Sequence, residues 1–108
     1  MNAQTIDIEQ LQDAAGQASS FLRSIANRDR LLLLCQLSQS ELSVTALAEL
    51  TGIQQPSLSQ QLGVLRREGL IAPRKDGKNV YYQISEPKVL VILQHLYDLF
   101  CPEEGTPE

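Results

Sequence analysis

The chain has 108 residues, 43% hydrophobic and 20% charged, with a formal net charge of −4. That length supports one globular domain, residues 1–108, and is short for two separate cores. No apolar run exceeds five residues, and MNAQTIDIEQ has neither a basic start nor an apolar stretch. The sequence therefore predicts no membrane span and no secretory leader. The expected location is cytoplasmic, where the only two cysteines, Cys35 and Cys101, are free thiols, ligands or redox groups rather than a permanent staple.

In chain order, Ile8, Leu11, Ala15, Ala18, Leu22 and Ile25 recur at helical spacing and predict one long amphipathic helix over Ile6 to Ile25. Asn27 is suited to cap a second helix through RDRLLLLCQLS, ending at Ser38-Gln39-Ser40. Ser43 caps a third over VTALAEL, which stops at Thr51-Gly52. Pro56 and Gly69 bracket a fourth, from about Pro56 to Glu68. IAPRK and NVYYQIS then flank Asp76-Gly77, a hairpin signal because such turns need positive φ, and Pro73 confines the first strand to a sheet edge. After Pro87, KVLVILQHLYDLF forms a last helix, followed by a tail, 102–108, expected to fray. Val89, Ile92, Leu93, Leu96, Tyr97 and Phe100 make one stripe of that helix, and Leu90, Val91 and Leu99 widen it. A helix apolar on most sides has two surfaces to bury, so one is assigned to its own subunit and the other to a partner copy.

The expected fold is mainly α with a small β-hairpin, in the order α-α-α-α-β-β-α. Two helices joined by a glycine turn and followed by a hairpin form a winged helix-turn-helix. Ala48 permits a close helix crossing, Gly52 the turn, and Ile53, Leu58, Leu62 and Leu65 seat the fourth helix on the third. At 100° per residue its outward side then carries Ser59, Gln60, Gly63, Val64 and Arg67, with Ser57 at the margin. Gln60 is the best candidate for reading a base edge, since glutamine pairs bidentately with adenine; Ser57 and Ser59 suit base or phosphate. Gln54 and Gln55 stand at the helix N-terminus, where phosphate is favoured. Five basic residues against two acidic ones between Ser57 and Val80 give a local net charge of +3 on an otherwise acidic chain. Of these, Arg74, Lys75 and Lys78 on the hairpin are placed for flanking phosphates or the minor groove of double-stranded DNA. The rival reading is a winged helix used only for protein contacts. An enzyme is not expected: the chain has no phosphate-binding glycine loop, no nucleophile elbow and no metal motif.

The segment ELSVTALAELTGIQQPSLSQQLGVLRREGLIAPRKDGKNVYYQIS, with its S-x-S-Q-x-L-x-x-L-x-x-x-G-L run and basic hairpin ending in YY, resembles the ArsR/SmtB family of bacterial transcriptional repressors. The resemblance extends from about Ala26 to Phe100; Gln61 departs from it, standing where many members carry histidine. It implies a homodimer joined by the first and last helices. The soft-metal sensors of that family carry a form of E-L-C-V-C where this chain has Glu41-Leu42-Ser43-Val44-Thr45, so hydroxyls replace thiolates. Other members hold zinc or nickel through aspartate and histidine pairs on the last helix, which here offers Glu86, Lys88, a single His95 and Asp98. No metal site and no cofactor are expected.

From the residues alone, the cysteines read most simply as inert. Cys35 lies toward a helix C-terminus and Cys101 precedes Pro102-Glu103-Glu104, both of which disfavour thiolate, and free cysteine is common core filler. Their two positions nonetheless resemble the HlyU/BigR/SqrR branch, whose repressors answer reactive sulfur species or oxidants. That resemblance implies that Cys35 and Cys101 face each other within a subunit and form a disulfide or polysulfide bridge that changes DNA affinity. Inert cysteines or a metal input are the alternatives.

Overall fold

The computed structural model describes residues 7–101. In chain order they form α1 (Ile8–Ile25), α2 (Arg28–Leu37), β1 (Leu42–Ser43), α3 (Val44–Thr51), α4 (Ser57–Arg67), β2 (Ile71–Asp76), β3 (Asn79–Ile84) and α5 (Pro87–Phe100). The expected start of the first helix at Ile6 and the frayed tail 102–108 lie outside the described residues.

Local chemistry fixes the ends of these helices. The Asn27 side chain accepts from Arg30 N at 3.0 Å and Ser43 Oγ from Ala46 N at 3.1 Å, each satisfying an otherwise orphaned first-turn amide. At the end of α3, Thr51 Oγ1 donates to Leu47 O and accepts from Ile53 N, while Gly52 adopts φ 77°. Only glycine takes that conformation without a Cβ penalty, and it turns the chain into α4. The C-terminus of α4 closes the same way. Gly69 N donates to Arg66 O and Leu70 N to Leu65 O, with φ 77° at Gly69. This is a Schellman motif, and its apolar pair, Leu65 and Leu70, is buried. Ser85 at the end of β3 bonds back to Gly69 O and Leu70 O, which fixes the wing relative to α4.

Two features differ from expectation. The sheet is three-stranded and antiparallel, in the order β1-β3-β2, because Leu42 and Ser43 pair with Tyr82 and Tyr81. β2, which holds Pro73, is an edge strand, as its missing amide requires. The hairpin loop is Gly77-Lys78, closed by Asp76 opposite Asn79, rather than Asp76-Gly77. Gly77 has φ 65° and no non-glycine residue has positive φ among the described residues, so glycine occupies the first central position, the type II′ arrangement.

The core joins Leu33, Leu34 and Leu37 of α2 to Leu47, Leu58, Leu62 and Leu65 of the helix-turn-helix, and to Val89 and Leu93 of α5. The two outer helices are less covered. On α1, Ile8, Leu11 and Leu22 are exposed, and on α5 so are Leu90, Val91, Tyr97, Leu99 and Phe100. The α5 stripe is therefore buried only toward its N-terminal half; within one protomer nothing covers Tyr97 and Phe100 fully.

Candidate functional site

The α4 helix presents a narrower outer face than its periodicity implies. Ser59, Gln60, Arg66 and Arg67 are exposed, whereas Ser57, Gly63 and Val64 are half-buried. The flank holding Ser57, Gln61 and Val64 turns toward α1 and α2. There Ser57 Oγ donates to Asp29 Oδ2 at 3.2 Å, and Gln61 Oε1 accepts from Arg30 Nη1 at 2.8 Å. Arg30 also donates to the carbonyls of Ser24 and Arg23, so one guanidinium ties the end of α1, the start of α2 and the middle of α4. Gln61, the departure from the family pattern, thus holds the helix in place and faces away from the outer surface. Asp29 and Arg30 were not among the sequence candidates; their partners are 28 and 31 residues away, beyond any local spacing signal.

Gln54 and Gln55 are exposed ahead of α4. The Gln55 side chain caps the helix, accepting from Ser59 N at 3.0 Å, and so occupies one of the amides otherwise open to a phosphate. On the wing, Lys75 and Lys78 are exposed. Arg74 is committed elsewhere: both its Nε and Nη2 donate to the Glu41 carboxylate at 2.8 Å, and its guanidinium lies 4.9 Å from the Tyr81 ring centroid. Those hydrogen bonds, more than the plain charge attraction, hold the Glu41 carboxyl below its usual range. A depressed carboxylate contributes stability that is present above its unfolded value and lost as pH falls through the folded one, so this clamp loosens only in acid. Glu41 and Arg74 anchor the wing to the chain just before β1.

The second constellation lies on the opposite side of α2. Cys35 is exposed, although it sits in an apolar run, because Leu33, Leu34 and Leu37 take the inward face and residue 35 falls behind them. It does not fill the core. Cys35 and Cys101 line one cavity of about 280 Å³, walled by Leu31, Leu93, Leu96, Tyr97 and Phe100. A second cavity, of about 470 Å³, adjoins it through Cys35, Leu93 and Tyr97 and adds Ser38, Gln39, Leu90 and Gln94. Burial against these side chains, and secondarily the neighbouring Cys101, pushes the Cys35 thiol up. Its thiolate is a minor species at neutral pH, and its reactions speed up as pH rises. Among the described residues, no three His, Cys, Asp or Glu side chains come together as a metal site. His95 is exposed on α5.

The family pattern described as "Bacterial regulatory protein, arsR family" matches residues 27–72, from the α2 cap to the start of the wing. The chain is 38% identical over 96 residues to the biofilm growth-associated repressor of Xylella fastidiosa, covering 89% of this chain and 84% of that protein. It superposes on the crystal structure of the transcriptional repressor BigR from Xylella fastidiosa with a TM-score of 0.83 at 36% identity, over 91% of this chain and all of that one. Reduced HlyU from Vibrio cholerae gives a TM-score of 0.82 at 35% identity, over 87% and 99% of the two chains.

Proposed function

Because the chain belongs to the arsR family of bacterial regulatory proteins, and is a winged-helix transcriptional regulator of the BigR and HlyU type rather than an enzyme, we propose that it is a homodimeric repressor of operator DNA whose affinity is set by the Cys35–Cys101 pair. The single observation that carries the thiol reading is that both cysteines open onto the same apolar cavity between α2 and α5. A bridge there, formed by reactive sulfur species or oxidants, ties the helix that holds α4 through Asp29 and Arg30 to a helix with a free apolar face. Unstrained, such a bridge constrains a loop of this length by roughly 4 kcal/mol, above the 1–3 kcal/mol typical of allosteric coupling. No helix among the described residues is long and apolar enough to cross a membrane. The regulator acts where the DNA is, in the cytoplasm, and needs neither membrane nor cofactor.

In this reading each α4 enters a major groove of a two-fold site, with Gln60 and Ser59 at the base edges and Arg67 along the groove. Gln54 and Ser57 stand at the end of α4 nearest the backbone, and Gln55 reaches it only by leaving its cap. Lys75 and Lys78 of the wing meet flanking phosphates; Arg74 supports them from its clamp on Glu41.

Operator titrations test the DNA assignments. Gln60→Ala costs about 1–3 kcal/mol of operator affinity and relaxes preference at one adenine position per half-site. Lys75→Ala and Lys78→Ala each flatten the dependence of log K on log salt by about 0.9, uniformly across sequences. Arg74→Ala flattens it less, since Glu41 already neutralises that charge. For the thiols, treatment of the protein with an organic persulfide followed by digestion yields one covalent product joining the α2 and α5 peptides of the same protomer. Recovery of only singly modified or unmodified peptides removes the bridge.

A further inference from the structure

Arg28 lies outside the basic segment Ser57 to Val80, yet the fold brings it to the start of α4. One carboxylate makes the connection: Asp29 Oδ1 accepts from Arg28 Nη1 at 3.3 Å, and Asp29 Oδ2 from Ser57 Oγ at 3.2 Å. Ser57 is the first residue of α4, so the Arg28 guanidinium stands beside the end of that helix set against the DNA backbone in the reading above. The wing, with Lys75 and Lys78, leaves from the other end of α4 after Gly69. Cations therefore flank α4 at both ends.

Arg28 is poorly placed for stability. It occupies the first position of α2, directly after the Asn27 cap, where its charge adds to the positive end of the helix dipole instead of offsetting it. Among the described residues its one ion-pair partner is Asp29, through a single contact at 3.3 Å, and an exposed pair of that kind contributes little. The Arg28 side chain is 84% exposed. Arg74 is the contrast: two of its nitrogens lie 2.8 Å from the Glu41 carboxylate, which matches its charge. A guanidinium carries five donors in a fork suited to phosphate, so Arg28 retains most of its capacity for another anion.

Resting on the operator-binding reading above, we propose that Arg28 is a third DNA-contacting element of each protomer, after α4 and the wing, and binds one backbone phosphate per half-site beside the N-terminus of α4. Asp29 is a positioning residue. Holding Arg28 with one oxygen and Ser57 with the other, it fixes the arginine relative to α4, so the phosphate contact sets the register of the helix on the duplex without reading sequence.

The test uses the full-length protein and a duplex that the wild type has selected from a randomised pool. Arg28→Gln lowers the slope of log K against log salt by about 0.9 per half-site, equally for matched and mismatched duplexes. Arg28→Lys keeps most of the wild-type slope, because the contact needs charge. Ethylation interference locates the contact: one phosphate per half-site whose ethylation blocks the wild type no longer matters to Arg28→Gln. The thermal midpoint of Arg28→Gln stays level or rises, since the lost charge opposed the dipole; a structural role would instead lower it and leave the slope. If Arg28→Gln keeps the wild-type slope and ethylation pattern while Lys75→Ala flattens the slope, Arg28 does not touch DNA, although the operator reading stands. If the wild type selects no duplex from the pool, both fail.

Discussion

The double substitution Val91→Asp/Leu99→Asp converts the protein to a monomer that keeps its helical circular dichroism and loses specific operator binding. Val91 and Leu99 are 60% and 74% exposed in one protomer, and neither lines a thiol cavity, so the monomer tolerates the change. The proposed dimer would cover these positions together with Ile8, Leu11 and Leu22 of α1, all exposed in one protomer, and each Leu so covered contributes about 1.5–3 kcal/mol. An aspartate there must be desolvated without a partner, which reverses the sign of the contribution. Once the two α4 helices are no longer tethered, the second half-site loses its effective-concentration advantage, a factor of about 10²–10⁴. Analytical ultracentrifugation and an operator titration on the same sample check both halves; a variant that stays dimeric places the interface elsewhere.

Much of the architecture was legible in the residues because its signals are local. Asn27, Ser43, Gly52 and Gly69 mark helix ends through contacts no more than five residues apart, and the structure places each where its chemistry requires. β1 was not legible: two residues carry no periodicity, and Leu42 and Ser43 become a strand only because β3, some 40 residues later, offers a free edge. The hairpin loop was displaced by one residue because Asp-Gly signals a turn without fixing which pair is central, and the Asp76–Asn79 pairing decides it.

The candidate interface was legible in outline and less so in detail. Helical periodicity put Val64 on the outside of α4 and Ser57 at its margin, since a wheel drawn from one apolar stripe cannot foresee a second contact; α1 and α2 supply it through Arg30 and Asp29. Arg74 reads as a free cation until Glu41, 33 residues earlier, is brought against it. Cys35 shows the opposite error. Its leucine neighbours in sequence make it resemble core filler, yet their helical phase leaves the thiol outside, at the junction of two cavities.

The second large effect concerns that thiol and is the central claim. Wild-type protein bound to operator releases it on treatment with an organic persulfide, with a loss of affinity of at least about 5–150-fold, the span of ordinary allosteric coupling. Cys35→Ser and Cys101→Ser each bind the untreated operator as the wild type does, because neither thiol lies on the α4 or wing surface. The decisive measurement is the operator dissociation constant of the wild type and the two serine variants, with and without persulfide, at fixed salt. The account predicts that only the wild type weakens; if either variant releases DNA as the wild type does, the Cys35–Cys101 pair is not the switch.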